Sequence, residues 1–249
     1  MRIPFLLIFV SIQIHGADWP QWLGPKRDAV WREEGIIDTF PEGGPKLRWK
    51  TPLSGGYSGP AVANGRVFVM DRIADKIDTT KAKLLHKGLP PRNPNFLRKF
   101  FPGKERVICL NEANGKIIWS HKWDCPYTTV ATYAIGPRAT PTVDGDYVYA
   151  LGAEGNLFCL STKTGSVIWN RDFKKDYGLN IPEWGTAAHP LVEEDLLICL
   201  VGGKGTTCVA FNKNSGSEIW RALSSKQPGY CPPVIHFLGG KRQLLIWHS

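Results

Sequence analysis

The phrase "ICLNEANGKIIW" at 108–119 returns as "FCLSTKTGSVIW" at 158–169 and as "VAFNKNSGSEIW" at 209–220. Recurrence at a period of about 50 residues marks an array of like structural units, which constrains the fold more than any local propensity. The phase is tight, since Gly115, Gly165 and Gly216 each stand four residues before Trp119, Trp169 and Trp220. Upstream, "SGPAVANGRVFVMD", "RATPTVDGDYVYALG" and "AHPLVEEDLLICLVG" each put a proline ahead of a polar turn and a β-rich run. A fourth copy begins at "CPPVIHFLGGKRQLLIW".

Within a unit, runs of four to seven residues rich in Val, Ile, Leu, Tyr and Phe are bounded by Gly, Asn and Asp, residues that close tight turns. No repeat shows a sustained 3.6-residue apolar period. The second unit is predicted as four antiparallel strands at 138–144, 147–151, 156–160 and 166–170. A lone four-stranded sheet cannot cover both of its faces, and radial stacking of such sheets is the β-propeller solution. The expectation is therefore an all-β propeller of four-stranded antiparallel blades. On each outermost strand the Trp is expected to wedge against the next blade. The units divide into blade 1 at 58–121 with a basic insertion at 72–106, blade 2 at 138–171, blade 3 at 186–221 and a partial blade 4 at 231–249.

The three phrases resemble the repeat of pyrroloquinoline quinone (PQQ) dehydrogenases and their non-enzymatic BamB-like relatives, which reads Ala-x-Asp-x-x-Thr-Gly-x-x-x-Trp. Gly and Trp match in every copy; the Thr is Asn114, Thr164 and Ser215, and the Ala is Cys109, Cys159 and Ala210. The family's Asp is replaced by Asn111, Ser161 and Asn212, which can still hydrogen-bond to a turn's backbone. The opening "ADWPQWLGPKRDAVW" is similar to the start of large secreted PQQ-like propeller proteins of planctomycete-type bacteria. WD40 units place Asp after the Trp, where Ser120, Asn170 and Arg221 stand here, and the "VGG" at 201–203 that would match the paired glycine of a kelch unit occurs in one unit only. The resemblance implies rings of seven or eight blades, needing roughly 350 to 400 residues at this period. The 249 residues supply about three and a half blades, so a partial ring is expected. "PKLRWK" at 45–50, within an N-terminal segment at 18–57, reads as the outermost strand of a closing blade.

"MRIPFLLIFVSIQIHGAD" reads as a secretory signal peptide over 1–17, too short to span a bilayer, and no other segment reaches 18 uninterrupted apolar residues. The expected location is periplasmic or extracellular. Six cysteines in such a compartment invite disulfides. Cys109 and Cys159 share the repeat phase of Ala210 and read as small core residues. Cys199 and Cys208 are equidistant from the centre of the "GGKG" turn, which would set them opposite each other across a hairpin, where a bridge is one option. Cys125 and Cys231 are not paired by any spacing. No two cysteines are adjacent, whereas the resemblance associates a vicinal pair with the quinone-dependent alcohol dehydrogenases of this fold.

No catalytic constellation emerges. "VGGKGTT" lacks the Ser or Thr that follows a P-loop lysine, and His86, His121, His189, His236 and His248 have no close metal-ligand spacing. Glu193 and Glu194 fall where other units place a turn and read as solvated. No carboxylates can be assigned to a calcium site, so PQQ and Ca²⁺ belong only to an alternative dehydrogenase reading. In a propeller the first strand of each blade lines the central funnel, and the lead-ins "GGYSGP", "IGPRATP" and "EWGTAAHP" bring Tyr57, Arg138, Trp184 and His189 toward one mouth. An aromatic, a guanidinium and an imidazole suit an anionic or planar ligand.

The stretch 72–106 carries ten Lys and Arg against three acids, with Phe96, Phe100 and Phe101 and a proline-rich centre. Long insertions in compact domains are functional or disordered. With a formal net charge of +9 on the chain, an acidic partner is expected for it, and the export signal argues against nucleic acid. The favoured reading is a non-catalytic binding or scaffold module of the bacterial envelope engaging protein or another polymer. The alternative is part of a PQQ- and calcium-dependent alcohol or sugar dehydrogenase.

Overall fold

The computed structural model describes residues 16–76, 81–85, 88–89, 91–93, 96–128 and 136–248. The predicted signal peptide and His86 lie largely or wholly outside these. Three four-stranded antiparallel sheets follow one another along the chain. The first comprises β1 (Ala61–Ala63), β2 (Arg66–Ala74), β3 (Gly103–Asn111) and β4 (Ile117–Asp124). The second comprises β5 (Thr142–Asp144), β6 (Tyr147–Leu151), β7 (Asn156–Ser161) and β8 (Val167–Asp172), after which a short α1 (Phe173–Tyr177) is inserted. The third comprises β9 (Leu191–Glu193), β10 (Leu196–Leu200), β11 (Cys208–Asn212) and β12 (Glu218–Ala222), and a two-stranded sheet of β13 (Val234–Leu238) and β14 (Lys241–Leu245) follows. These are propeller blades, as the repeats predict. The first strand of a blade is shorter than expected: β5 begins at Thr142 rather than at 138, because Gly136 to Pro141 form the lead-in from the preceding blade.

Every blade runs in sequence from inner to outer strand, so its loops segregate. The tight turns after the first and third strands share one face. The loops between second and third strands, and those between blades, share the other, here called the loop face. The core lies between sheets: Tyr149, Leu151, Leu157 and Cys159 of the second blade pack with Leu197, Cys199, Val209 and Phe211 of the third. Likewise Phe68, Met70, Val107 and Cys109 of the first pack with Val148, Ala150 and Leu160 of the second. Both faces of each middle strand are therefore apolar, as stacked sheets require.

The recurring Gly and Trp close this stack. Trp119 Nε1 donates to the Thr162 carbonyl at 2.9 Å, and Trp169 Nε1 donates to the Lys213 carbonyl at 2.9 Å. Each indole lies on the repeat glycine of the following blade. A Cβ on Gly165 would be 2.5 Å from Trp119, and one on Gly216 would be 2.6 Å from Trp169. The glycine thus serves a turn at positive φ and the close approach of a ring. Trp49 does the same to the first blade, donating to the Glu112 carbonyl at 2.6 Å above Gly115. Residues 45–50 are nevertheless not a strand, because among the described residues no ladder partner pairs with them; their place is fixed by the docked indole and by the Thr51 hydroxyl, which donates to the Gly115 carbonyl. The substitutes for the family's Asp keep its role, since Asn111 Oδ1 and Asn212 Oδ1 accept backbone N–H groups two and three residues on, and Ser161 Oγ accepts them at greater length.

Two expectations are corrected. All six cysteines are free thiols, and Cys199 and Cys208 are not opposite each other. The ladder pairs Cys199 with Val209 and Leu200 with Cys208, a one-residue offset that sends the two thiols to opposite faces of the sheet. The basic insertion is shorter than 72–106: β2 and β3 pair continuously from Arg66–Asn111 to Ala74–Gly103, so Arg72, Glu105 and Arg106 belong to the blade.

Candidate functional site

The loop face gathers three of the four predicted funnel residues. Tyr57 N–H donates to the Pro137 carbonyl at 2.9 Å, tying the lead-in of the first blade to that of the second. Their backbones touch there, because a Cβ on Gly136 would sit 2.4 Å from the Gly56 Cα. This contact sets Arg138 over Tyr57, with its guanidinium carbon 4.5 Å from the ring centroid, and 5.7 Å from that of Trp184. Trp184 in turn donates its N–H to the Tyr230 hydroxyl at 3.3 Å. Burial pushes that hydroxyl above the ordinary tyrosine range, and Glu183, Arg98 and Arg138 are all near enough to act on it electrostatically, the carboxylate raising it and the two cations lowering it.

His189 is not part of this cluster. Its Nδ1 accepts the Thr140 N–H at 2.6 Å, and its ring stacks on Trp22 with centroids 4.9 Å apart. Burial and the neighbouring Arg27 cation lower its pKa to about 4, so it is a neutral acceptor at neutral pH. Its role is to cap a strand lead-in.

The reason lies in a segment whose structural place the sequence does not reveal. Residues 18–27 run along the inner strands of successive blades. Trp19 exchanges both backbone hydrogen bonds with Val62 on β1, and the Pro20 carbonyl accepts from Val143 on β5. Arg27, 6 % exposed, donates to the carbonyls of Pro190 at 3.0 Å and Pro233 at 3.1 Å, which precede β9 and β13. Burial lowers the Arg27 pKa to about 10, which leaves it cationic. Inner strands are sheet edges with unpaired polar backbone, and this segment satisfies them. This segment thereby covers part of the inner edges of the described blades, and Arg138 lies apart from it on the loop face.

The insertion reaches the same ground. Its two arms pair at Leu84 and Lys99, and Phe101 bridges to Tyr127 in the loop before the second blade. Arg98 donates to the Ile181 carbonyl at 2.8 Å, and the Phe96 ring meets Trp184 edge-on with centroids 6.1 Å apart. The insertion therefore leans across the neighbouring inter-blade loops onto the Trp184 side of the cluster.

Beneath it lies a buried polar network. Glu105, fully buried, accepts from the Tyr127 hydroxyl at 2.7 Å and from Ala153 N–H at 3.1 Å, and burial raises its pKa. Arg72 lies 4.4 Å over the Tyr127 ring and donates to the Phe101 and Pro102 carbonyls. Glu154 accepts from Thr128 N–H at 2.7 Å and from Lys174 Nζ at 3.0 Å. Both carboxylates are engaged in holding loops together, and the sequence gives no sign of either, since Glu105 reads there as one acid in a basic run. Glu193 and Glu194 sit at a turn, as expected, where both pair with Arg242 of β14 and so link two blades, and Glu194 remains exposed.

Comparison with known proteins places this architecture. A family profile described as outer membrane protein assembly factor BamB matches residues 103–244. The chain belongs to the BamB-like PQQ-repeat β-propeller family. It is 28% identical over 142 residues to the outer membrane protein assembly factor BamB of Nitrosomonas eutropha, a match spanning 56% of this chain and 33% of that protein. Among solved structures, BamB from Moraxella catarrhalis aligns at 20% identity over 71% of this chain and 54% of its own, with a TM-score of 0.35. Quinohemoprotein alcohol dehydrogenase from Comamonas testosteroni aligns at 14% identity over 93% of this chain and 46% of its own, with a TM-score of 0.47.

The likeness of the repeat to that of PQQ dehydrogenases raises the question of whether this face fits PQQ and calcium. Among the described residues no three His, Cys, Asp or Glu side chains converge as a metal-ligand set. The charged groups around the open face are Glu183, Arg98 and Arg138, one carboxylate among cations, while deeper down one Glu105 oxygen accepts from Tyr127 and Ala153 and Glu154 is engaged by Thr128 and Lys174. These donors do not compose a calcium–quinone site. What the arrangement offers chemically is recognition: a cation, three aromatic rings and a basic arm on one surface.

Proposed function

We propose that this chain is part of a non-catalytic binding module of the bacterial cell envelope that docks a protein partner on its loop face. The observation that carries the reading is the meeting of two separate sequence features at Trp184. The funnel residue Arg138 lies over one side of the cluster, and Phe96 and Arg98 of the insertion lie on the other. An insertion that returns to the inter-blade loops widens one continuous recognition surface, as binding loops on rigid scaffolds do. Membership of a family described by outer membrane protein assembly supports an envelope location and protein partners. The described residues contain no helix long and apolar enough to cross a membrane.

Photo-crosslinking in cells tests this reading with the full reading frame. A photoreactive residue at Phe96 or Tyr57 should capture an envelope protein, and one at Lys163, on the opposite face, should not. Equal capture from both faces, or none from the loop face, would refute it. A saturable rise in melting temperature with PQQ and Ca²⁺ together would instead revive the dehydrogenase reading.

A further inference from the structure

Most interior and half-buried arginines of this chain aim their N–H groups at carbonyls or carboxylates; among the described residues Arg66, at the tight-turn face, and Arg138, at the loop face, do not. Arg27 donates to Pro190, Pro233 and Gln21, and Arg72 donates to two carbonyls in the return of the insertion. Arg106 forms a two-pronged pair with Asp71, at 2.6 and 2.9 Å. Arg98 donates to Ile181. Arg138 differs: its contacts are the two rings of Tyr57 and Trp184, and among the described residues its guanidinium meets no carbonyl and no carboxylate. A guanidinium with aromatic rings against its faces is held in place and partly stripped of water. Its planar rim of donors is left to hydrogen-bond, and that fork matches a carboxylate.

The surroundings extend the same preference. Between β2 and β3, residues 75–102 carry seven Lys and Arg against two Asp. The arm with Phe96 and Arg98 brings part of that charge beside Trp184. A single small anion would use only the Arg138 rim. The insertion adds positive charge along a line away from it, with Phe96 and Trp184 providing apolar contact between.

We infer that the loop face recognises an acidic polypeptide segment, with one of its carboxylates seated on the rim of Arg138 and further acidic residues along the insertion. This inference rests on the protein-docking reading above and names the partner's chemistry.

The test is fluorescence anisotropy with a labelled short Glu- and Asp-rich peptide, and the same peptide with Gln and Asn in their place. The acidic peptide should bind and weaken as salt rises, and the amide peptide should bind at least about tenfold less tightly. Arg138→Gln should cost about tenfold, Arg138→Lys should recover only part because the planar fork is lost, and Phe96→Ala should weaken binding without removing charge. Lys163→Gln removes the same charge from the opposite face, where Lys163 pairs with Asp146, and should leave binding unchanged. Equal losses from Arg138→Gln and Lys163→Gln would reduce the effect to net charge and overturn the site. Equal binding of the two peptides would overturn the acidic partner while leaving the crosslinking result intact. Tighter binding to vesicles containing phosphatidylglycerol than to the peptide, lost in Arg138→Gln, would overturn it in favour of a membrane surface. Should Arg138→Gln fail to fold, the Phe96→Ala and salt series decide alone.

Discussion

Substituting one glycine measures how much the docked tryptophans hold blade to blade. Gly165 has φ 71°, and a Cβ there would lie 2.5 Å from Trp119 Cε3. Alanine in the left-handed region costs about 1 kcal/mol by itself. The overlap also forces the indole back. Its hydrogen bond to the Thr162 carbonyl, now 2.9 Å, would be lost at about 1 kcal/mol, and the ring's contact with the next blade at about another 1 kcal/mol. Gly165→Ala should therefore destabilise by about 3 kcal/mol. Gly145 supplies the control, since its φ is 55° and nothing lies within 4 Å of its Cβ position, so Gly145→Ala should cost only the conformational ~1 kcal/mol. Urea denaturation followed by tryptophan fluorescence and far-ultraviolet circular dichroism should separate the two by about 2 kcal/mol. In a Trp119→Ala background the separation should vanish, because the ring that clashes is gone. Equal losses from the two glycine substitutions in the parent protein would refute the docking argument.

Three further outcomes follow from the buried groups. His189 has its folded pKa depressed to about 4, so its contribution is present above the ordinary value of 6.5 and is lost as pH falls through 4, amounting to at most about 3 kcal/mol. The urea midpoint of His189→Gln should be flatter than that of the parent protein across that window, and parallel curves would contradict the assignment. Glu105 has its pKa raised by burial, so its folded state favours the protonated form and loses stability as pH rises above the ordinary carboxyl range. Glu105→Gln keeps an acceptor for Tyr127 and Ala153, and its stability should gain on the parent protein as pH rises above the ordinary carboxyl range; a gap independent of pH would show that burial does not raise the Glu105 pKa. Five thiols are buried, with Cys109 raised to about 11 and Cys159 to about 12, so only exposed Cys231 should react rapidly with a disulfide reagent at neutral pH. Retention of the fast reaction in Cys231→Ser would disprove this.

The fold was legible because it is written more than once. A glycine four residues before a tryptophan, repeated in phase, states both the turn and the ring that covers it. What the period does not carry was lost. The Cys199 and Cys208 register depends on how the residues between them bulge, and symmetry about "GGKG" misplaces the ladder by one residue, enough to turn the thiols apart. Tyr57, Arg138 and Trp184 lie together because lead-ins to inner strands converge. His189 obeyed the same rule and was still claimed by Trp22, which belongs to a segment outside the repeats. Nothing in "DWPQWLGPKRD" announces that its carbonyls and Arg27 will satisfy strand edges far along the chain. Phe96 and Arg98 were legible only as members of a basic loop, since their meeting with Trp184 and Ile181 is set by tertiary packing.

That inner segment also bears on where binding takes place. A propeller ordinarily offers its axis, where inner strands of several blades present side chains to one ligand. Here residues 18–27 cover part of the inner edges of four blades, with backbone hydrogen bonds to β1 and β5 and a buried guanidinium on the carbonyls before β9 and β13. A ligand seated on those edges would have to displace those bonds and expose Arg27 without its acceptors, a cost of several kcal/mol. Docking on the loop face requires no such displacement. Arg138 is half-buried against Tyr57 and Trp184, and a carboxylate placed there gains a partner without taking one from the protein. The energetic difference between the two routes favours an eccentric surface beside the insertion over a central pocket.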